Sequence, residues 1–332
     1  MTPTRRGLAL AGLALAAPAP ARAAAIAGGR PVRLIVPYPA GGAVDLVGRL
    51  YAERMASELG QQVVVDNRSG AAGIVGAEAV ARALPDGTTL GVIGMTTLCA
   101  YKTLYTRLPF DPDRDFAPVS QASAGTVVCA VNLDAARRNG WSDFRGLVAW
   151  AKANPDGLRY GTAGAGTTAH LTMAAVQKAT GIEALHVAYR GGAPAVTDLQ
   201  AGVIDLMFEL VPGLLPLIEQ RAVLPLAVGS AARAPVLPAV PGMAEFADLG
   251  LGGLDIGAWE AVMAPAGTPP EVILRLNEAV RAAGADPVLQ DRLRTAGFVA
   301  ETSASPDALA VKIRTDTPVW RALVEQSGAR LD

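Results

Sequence analysis

Apolar residues along the chain follow two spacings, one typical of strands and one typical of helices. The run 32–36 is short and rich in apolar, β-branched residues and stops at Pro37, which indicates a strand. From Asp45 to Leu59, apolar residues recur at i, i+3, i+4 and i+8, starting at Val47, which predicts an amphipathic helix. The same patterns predict further strands at 62–65, 89–93, 126–131, 158–161, 184–188, 205–208 and 224–228, a polar turn at 94–97, and further helices at 74–82, 143–153, 170–180, 271–283 and 306–326. This alternation predicts an α/β fold with mostly parallel sheets flanked by helices.

The first 25 residues have the pattern of an export signal. Arg5 and Arg6 precede an apolar stretch from Leu8 to Ala17, and a small-residue triplet ending at Ala23 follows. This order predicts a signal peptide cleaved near Ala23 and a periplasmic protein. The paired arginines fit either an ordinary signal peptide or a twin-arginine signal, so the export route stays open.

Charge and length narrow the class of protein. Lys and Arg number 29 against 30 Asp and Glu, and without the first 25 residues the balance becomes 26 to 30. Such a balance lacks the basic surface that a nucleic-acid-binding protein needs. No later segment reaches 18 uninterrupted apolar residues, so the sequence predicts no membrane span. At 332 residues the chain has room for two domains.

Cysteine and histidine are scarce. Cys99 and Cys129 either pair as a disulfide in an oxidising compartment or lie apart as small buried residues. Together with His170 and His186 they leave little for a zinc site, so we expect no metal and no cofactor. No Gly-x-Ser-x-Gly motif accompanies the two histidines, and we expect no enzymatic activity.

Two glycine-rich loops carry the strongest functional pattern. Residues 37–45 read PYPAGGAVD and residues 161–170 read GTAGAGTTAH. Each loop follows a predicted strand and opens a helix, whose unpaired N-terminal amides hold an anion without a basic side chain. Neither is a nucleotide motif, because the first lacks Lys-Ser/Thr and the second has Ala169 at the third glycine position. Two such loops suit a small molecule with two carboxylates.

Eight motifs occur in a fixed order between Pro31 and about Gly328. They are VPYPAGGAVD at 36–45, VVDNRSGAAG at 64–73, PDGTTL at 85–90, LPFDP at 108–112, DFAPV at 115–119, YGTAG at 160–164, HVAYRG at 186–191 and APAGTP at 264–269. In order and spacing they resemble the Bug-type (Bordetella uptake gene) periplasmic solute receptors of tripartite tricarboxylate transporters.

The resemblance implies a two-lobed, type II periplasmic-binding-protein fold with the ligand cleft between the lobes. The chain of such a protein crosses between lobes twice. We therefore expect lobe 1 to comprise residues 26–127 plus 230–332 and lobe 2 to comprise residues 128–229.

The resemblance also implies a ligand class and a set of ligand-binding residues. Members of the family are associated with di- and tricarboxylates, acidic amino acids and aromatic acids, which backbone amides of the two loops hold. Carried over to this chain, the binding residues are Tyr38, Ala40, Gly41, Gly42 and Asp45 in the first loop and Gly164, Ala165, Gly166, Thr167, Thr168 and His170 in the second. Where the family commonly has Asp-Asn after Phe208, this chain has Glu209-Leu210, which leaves the far end of the ligand open.

Four further residues are candidates on their own chemistry. Thr96 and Thr97 follow a predicted strand, and Tyr189 and Arg190 precede a glycine pair, where Arg190 is placed to bind a carboxylate. Structural roles are open alternatives: a solvated turn for the threonines, a surface position for Arg190, a helix cap for Asp45 and a helix-packing role for His170.

The sequence predicts a monomeric receptor that captures a small carboxylate and presents it to membrane transporter subunits. A periplasmic partner of a membrane signalling protein is the alternative. A cleft enzyme built on Asp205, Glu209 and Glu260 is a third interpretation, although nothing in the sequence marks these acids as a pair.

Overall fold

A computed structural model describes residues 26–155, 157–327 and 329–331 of the chain. The predicted signal peptide lies outside the described residues. The first part of the fold comprises β1 (Val32–Val36), α1 (Ala43–Leu59), β2 (Val63–Asn67), α2 (Ile74–Ala81), β3 (Thr89–Gly94), α3 (Met95–Cys99), α4 (Tyr101–Leu104) and β4 (Phe116–Asn132). The middle comprises α5 (Leu133–Asn139), α6 (Phe144–Ala153), β5 (Arg159–Thr162), α7 (Thr168–Thr180), β6 (Leu185–Ala188), α8 (Gly192–Ala201), β7 (Leu206–Leu210), α9 (Val211–Glu219) and β8 (Val223–Val228). The last part comprises β9 (Gly257–Pro265), α10 (Pro270–Ala285), α11 (Pro287–Ala296), β10 (Val299–Ala300) and α12 (Pro306–Ser327).

Strand pairing divides the molecule into two groups of strands that share β4. The strand order is β2-β1-β3-β9-β4-β7-β5-β6, and β8 and β10 also pair with β4. From Phe116 to Thr126, β4 pairs with β9, whereas from Val127 onward it pairs with β7 and β8. Pairs among β1–β3 and among β5–β7 are parallel, and the pairs made by β4 and β9 are antiparallel. The fold is therefore a mixed α/β fold with two lobes, each built around its own part of the sheet.

Each lobe has hydrophobic clusters of its own, and a further cluster joins the lobes where Leu171 of α7 packs against helix α12. In the first lobe, β1 and β3 pack against α1 and α10, whose apolar face includes the fully buried Tyr51. In the second, β4, β5 and β7 pack against α6 and α7. Ala234, Val240 and Phe246 pack in the clusters of the second lobe, although they belong to the segment that the sequence analysis assigned to lobe 1. The exact lobe boundaries stay a prediction.

Most predicted elements lie within a few residues of the observed ones, and the differences have physical reasons. The predicted polar turn at 94–97 is wrong: Met95–Cys99 forms α3, and the Ala100 amide donates to the Thr96 carbonyl. All five residues of α3 are buried, so packing decides their conformation. Among the elements not predicted from the sequence are α8, α9 and β9, because proline and glycine interrupt both helices and Glu260 is a buried acid within a strand.

The two cysteines are free and buried. Cys99 lies at the end of α3 in a cluster of the first lobe, and Cys129 lies on β4 in a cluster of the second. Of the two alternatives for these residues, the structure therefore has the unpaired one. No helix among the described residues is long and apolar enough to cross a membrane.

Candidate functional site

A cavity of about 290 Å³ lies between the two lobes. Its walls come from both lobes and include the first turns of helices α1, α7, α8 and α9. The residues in these first turns that line it are Gly42, Ala43, Val44, Thr167, Thr168, Ala169, Gly192, Ala193, Pro212 and Gly213. A cavity of this size suits a small metabolite.

The first turns of several helices bring backbone amides to the wall of this cavity. The N-cap residues of α1 and α8 are Gly42 and Gly191, which have no side chain with which to cap the helix. The first amides of these helices are therefore left for a ligand or water, and each helix end carries about half a positive charge. None of the described residues that line the cavity is Lys, Arg or His. The arrangement can hold an anion through backbone amides alone.

Hydrogen bonds made by the side chains of Asp45 and Asn67 hold the first glycine loop in place. The buried Asp45 carboxylate accepts from the Gly41 amide, from Arg49 Nε and from Asn67 Nδ2, each at 2.8 Å. Asn67 Nδ2 also donates to the Tyr38 carbonyl at 3.0 Å. Burial alone would raise the pKa of Asp45, but the hydrogen bonds from Arg49, Gly41 and Asn67 together lower it, so this carboxylate stays ionised. Gly41 has φ +82°, which favours glycine at the turn.

The second glycine loop is held by hydroxyl and imidazole groups of its own lobe. Thr167 Oγ1 donates to the Gly164 carbonyl at 2.8 Å and accepts from the His170 amide at 3.4 Å, so Thr167 caps α7. His170 Nδ1 accepts from the Gly166 amide at 3.1 Å, and its ring stacks on His186 at 4.4 Å. Burial lowers the pKa of both histidines to about 4, and for His170 the charge of His186 adds to the effect. Both rings are neutral at physiological pH.

The lobes touch each other beside the cavity. Tyr105 of lobe 1 donates its hydroxyl hydrogen to the Ala165 carbonyl of lobe 2 at 2.9 Å. A Cβ built on Gly164 would lie 3.0 Å from the Ala72 Cβ, so at these positions the two backbones can approach closely only with glycine. The two glycine loops therefore face each other across one cleft.

Glu209 is a buried acid on the lobe 2 wall of the cavity. It lies on β7, is 7% exposed, and its Oε1 accepts from the amide of Leu210 at 2.9 Å. Its Oε2 is buried and has no hydrogen-bond partner among the described residues. A Cβ on Gly192 would lie 2.7 Å from that oxygen, so glycine there makes room for the carboxyl group. Burial raises the pKa of Glu209 to about 7, against a smaller lowering by the Leu210 amide.

Glu260 is a second buried acid on the lobe 1 wall of the same cavity. It lies on β9, is 5% exposed, and its Oε2 has no hydrogen-bond partner within the described part of the chain. Burial raises its pKa to about 8. Burial also raises the pKa of Tyr38, and the charges of Glu260 and Glu209 raise it further, so both acids act on the same phenol. Tyr38, Glu209 and Glu260 all line this cavity.

The structure brings many of the predicted site residues together but not all of them. Those that line the cavity are Tyr38, Gly41, Gly42, Thr96, Thr167, Thr168 and Glu209. An adjoining cavity of about 240 Å³ between the loops is lined by Gly164, Ala165, Tyr189 and Arg190, as well as by Tyr38. Ala40 and Asp45 line a groove on the outer side of the first loop. Thr97, Gly166 and His170 line none of these three.

Sequence reasoning missed several lining residues. Gly192, Ala193 and Gly213 begin α8 and α9, two helices that the periodicity did not predict. Glu260 was named only as a possible catalytic acid, and Trp259 beside it was not named as a site residue. The pair Trp259-Glu260, five residues before the APAGTP motif, was the signal available. No group of three or more His, Cys, Asp or Glu side chains suited to a metal ion occurs within the described ranges.

The fold and the cleft define the class: a two-lobed solute-binding protein of the periplasmic type. Residues 47–328 match the tripartite tricarboxylate transporter family receptor, TctC. The chain therefore belongs to this family of receptors, as its motifs indicated.

Relatives and solved structures agree with this assignment. The chain is 40% identical to the UPF0065 protein in the tcbD-tcbE intergenic region of Pseudomonas sp., over 89% of this chain and 85% of the relative. It is 33% identical to protein BugT of Bordetella pertussis, over 91% and 90% of the two chains.

Two solved structures were determined with carboxylates. An R. palustris protein with adipate has a TM-score of 0.84 at 31% identity and covers 90% of this chain and 98% of its own. MatC from Rhodopseudomonas palustris with bound malate has a TM-score of 0.81 at 29% identity and covers 88% and 98%.

Proposed function

We propose that this protein is an extracytoplasmic receptor that captures a small organic carboxylate between its lobes and delivers it to the membrane subunits of a tripartite tricarboxylate-type transporter. The ligand carboxylate binds the first amides of α1, with those of α7 and α8 facing it from the other lobe. Closure of the lobes follows because a ligand that touches both loops stabilises the closed form more than the open one.

The convergence of helix N-termini on one cavity carries this proposal. Amides and helix dipoles supply a positive potential that is fixed in place, and it favours an anion over a neutral molecule. Asp45 and His170 are both occupied in holding the loops, so these two side chains do not define the ligand. The backbone therefore selects for a carboxylate.

The remaining walls favour a compact carbon skeleton. Val127, Val196, Pro216 and Trp259 line the cavity, and apolar walls of this kind gain from excluding water around a carbon chain or ring. The relatives solved with adipate and malate support a small carboxylate as the ligand class.

The test is calorimetric titration of the refolded protein with a panel of di- and tricarboxylates, amino acids and aromatic acids. At least one is expected to bind with the affinity of a dedicated receptor, on the order of 1 μM or tighter, which corresponds to about −8 kcal/mol. No binding by any member of the panel contradicts the proposal.

A charge placed at the start of α1 tests the mode of binding. Ala43→Asp adds an acid at the N-terminus of α1, within the cavity, and is expected to weaken binding of the best ligand more than 30-fold by repelling its carboxylate. Ala43→Asn has the same size without the charge and serves as the control. Equal losses in both variants would mean that space, and not charge, decides the effect.

Three accompanying features belong to the same proposal: a signal peptide cleaved near Ala23, a monomeric receptor and a transporter as partner. N-terminal sequencing of protein exported by its host tests the cleavage, and light scattering tests the monomer. Loss of uptake of the bound acid on deletion of the receptor, restored by the wild-type chain, tests the partner.

A further inference from the structure

The short turn that follows β2 in lobe 1 has a backbone conformation that is rare for its residue type. Ala71 and Ala72 have φ +44° and +52°, in the left-handed region that favours glycine. Residues other than glycine keep such a conformation only where the surrounding structure holds them, and they concentrate at ligand clamps and switch regions. Contacts from other parts of the fold must therefore hold Ala72 in place.

Two phenol groups of lobe 1 hold this turn. Tyr38 Oη and Tyr101 Oη both donate to the Ala72 carbonyl, at 3.2 Å and 2.6 Å. A carbonyl oxygen has two lone pairs, so the two hydroxyls satisfy it. Tyr101 is fully buried on α4 and lines neither the main cavity nor the adjoining one, whereas Tyr38 belongs to the first glycine loop and lines both. One hydrogen bond thus connects the turn to the loop at which we place the ligand carboxylate.

On its other side, the turn meets lobe 2. A Cβ built on Gly164 would lie 3.0 Å from the Ala72 Cβ and 3.2 Å from its Cα. Close by, a Cβ built on Gly191 would lie 2.6 Å from Cδ of Pro39, which belongs to the first glycine loop. In both places a glycine of lobe 2 lets lobe 1 come close, and separation of the lobes would break both contacts.

We propose that the turn at Ala71 and Ala72 is a latch that links occupation of the first glycine loop to closure of the lobes. This inference rests on the proposed function and assigns its closure step to particular residues. A ligand at the first loop restrains Tyr38, whose hydroxyl holds the Ala72 carbonyl, and the turn then presents its methyl group to Gly164. Ligand and latch stabilise the same closed arrangement. Because such coupling is reciprocal, damage to the latch weakens ligand binding.

Added bulk at the contact tests the latch. Ala72→Leu fills space that Gly164 occupies when the lobes are closed, and it is expected to weaken the best ligand of the carboxylate panel by about tenfold or more, through faster dissociation. It should also abolish the ligand-induced decrease in the radius of gyration that small-angle scattering measures for the wild type. Ala71→Leu is the matched control, because it places the same side chain on a left-handed backbone at an exposed position. The control should bind the ligand like the wild type.

Two results of this comparison overturn the inference and leave the receptor function standing. One is wild-type affinity in Ala72→Leu, and the other is an equal loss of affinity in Ala71→Leu and Ala72→Leu. Absence of binding by the wild type to every member of the panel overturns the proposed function itself.

A second variant acts on the latch from outside the cleft. Tyr101→Phe removes one hydroxyl from the Ala72 carbonyl and is expected to weaken ligand binding by about threefold, the loss expected for one neutral hydrogen bond. Tyr51→Phe is the control, since Tyr51 is an equally buried phenol of lobe 1 that donates to the Ala122 carbonyl. It should lower the melting temperature without changing the affinity. The same behaviour in Tyr101→Phe would assign Tyr101 a purely structural role and overturn the inference. This pair decides the question if melting temperatures show that Ala72→Leu misfolds.

Discussion

Asp45 and Glu209 are both buried carboxyl groups beside the cleft, one in each lobe, and their surroundings are opposite. Asp45 accepts hydrogen bonds from a backbone amide, a guanidinium and a carboxamide, and its pKa is lowered. Glu209 accepts one backbone amide, keeps one oxygen without a described partner, and burial raises its pKa to about 7. A carboxylate whose acceptors are filled by the protein holds a loop in place, whereas Glu209 keeps a buried oxygen that no described residue satisfies.

The two kinds of buried acid also affect the stability of the folded state in opposite directions. The hydrogen bonds of Asp45 are part of the folded state whether or not a ligand is present. The buried oxygens of Glu209 and Glu260 oppose folding, because desolvation without a partner is unfavourable. Sites for ligands often keep such locally unfavourable groups.

The largest change in stability is expected from removing Asp45, whose carboxylate accepts three hydrogen bonds. Asp45→Ala leaves the Gly41 amide without its acceptor and should lower the free energy of unfolding by about 2–3 kcal/mol, the range for hydrogen bonds to a charged group. Urea denaturation measures it. Arg49→Gln is the control, since the Arg49 side chain is 54% exposed and the pair alone should contribute less than about 1 kcal/mol. Equal losses in the two variants would mean that the ion pair with Arg49, and not the buried hydrogen bonds of Asp45, stabilises the first loop.

Neutralising Glu209 or Glu260, whose Oε2 atoms have no partner among the described residues, should increase stability instead of lowering it. At pH 9, above the raised pKa values of both acids, Glu209→Gln and Glu260→Gln should each raise the free energy of unfolding by about 1–2 kcal/mol, because the buried group no longer carries a charge without a partner. Urea denaturation without ligand measures the change. A loss of stability in both variants would mean that these carboxylates have partners that stabilise the folded state.

The same acids predict the pH dependence of stability. The pKa values of Glu209 and Glu260 rise from 4.5 to about 7 and about 8, so the folded state keeps protons that the unfolded chain releases. The contribution of these two acids to stability should therefore fall as pH rises from 4.5 to about 8 and then level off. The lowered pKa values of His170 and His186 act with the opposite sign, but only between about 4 and 6.5. Between pH 6.5 and 8 the wild type should lose stability while the double Gln variant stays flat, and parallel curves would contradict this.

A smaller loss of stability is expected in the second loop, because its hydrogen bonds come from neutral groups, whereas those of the first loop involve the charged Asp45. Thr167→Val removes the cap of α7 at nearly constant volume and should lower the free energy of unfolding by about 1 kcal/mol. Thr197→Val, on the exposed face of α8, is the matched control. A loss as large as that of Asp45→Ala would remove the distinction between the two loops.

The smallest effect concerns contact between the lobes. Tyr105→Phe removes the hydroxyl that donates to Ala165 and should weaken ligand binding by about threefold, because one neutral hydrogen bond contributes roughly 0.5–1.5 kcal/mol. This bond is one of several contacts between the lobes, which also pack through Leu171 and helix α12, so the melting temperature without ligand should change little. If affinity stays unchanged while the melting temperature falls, the hydrogen bond stabilises the folded protein and not its ligand-bound form, which contradicts this prediction.

The sequence predicted the repeated strand–loop–helix units well because their signals are local. β1 ends at Pro37, and α1 has a regular apolar face, so both elements follow from neighbouring residues. α8 and α9 were missed because Pro194 and Pro216 lie inside them and their stability comes from packing. The glycine loops were predicted on the same local grounds.

The two buried acids of the cavity wall, Glu209 and Glu260, could be predicted only in part. Glu209 was identified because it replaces a family motif, while Glu260 lies about 50 residues further along and in the other lobe. Their common cavity depends on β4 and β9 bringing distant segments together, and no local pattern encodes that pairing. Whether an acid is satisfied by its neighbours depends on such long-range contacts.

The strand β4 belongs to both lobes without a break. Its 17 residues form ladder hydrogen bonds with β9 before Val127 and with β7 and β8 after it. A connection of this kind resists free swinging, since a wide rotation would tear backbone pairs on both sides. We therefore expect the proposed closure of the lobes to be a modest twist near Thr126, in which the strand pairs on both sides stay intact.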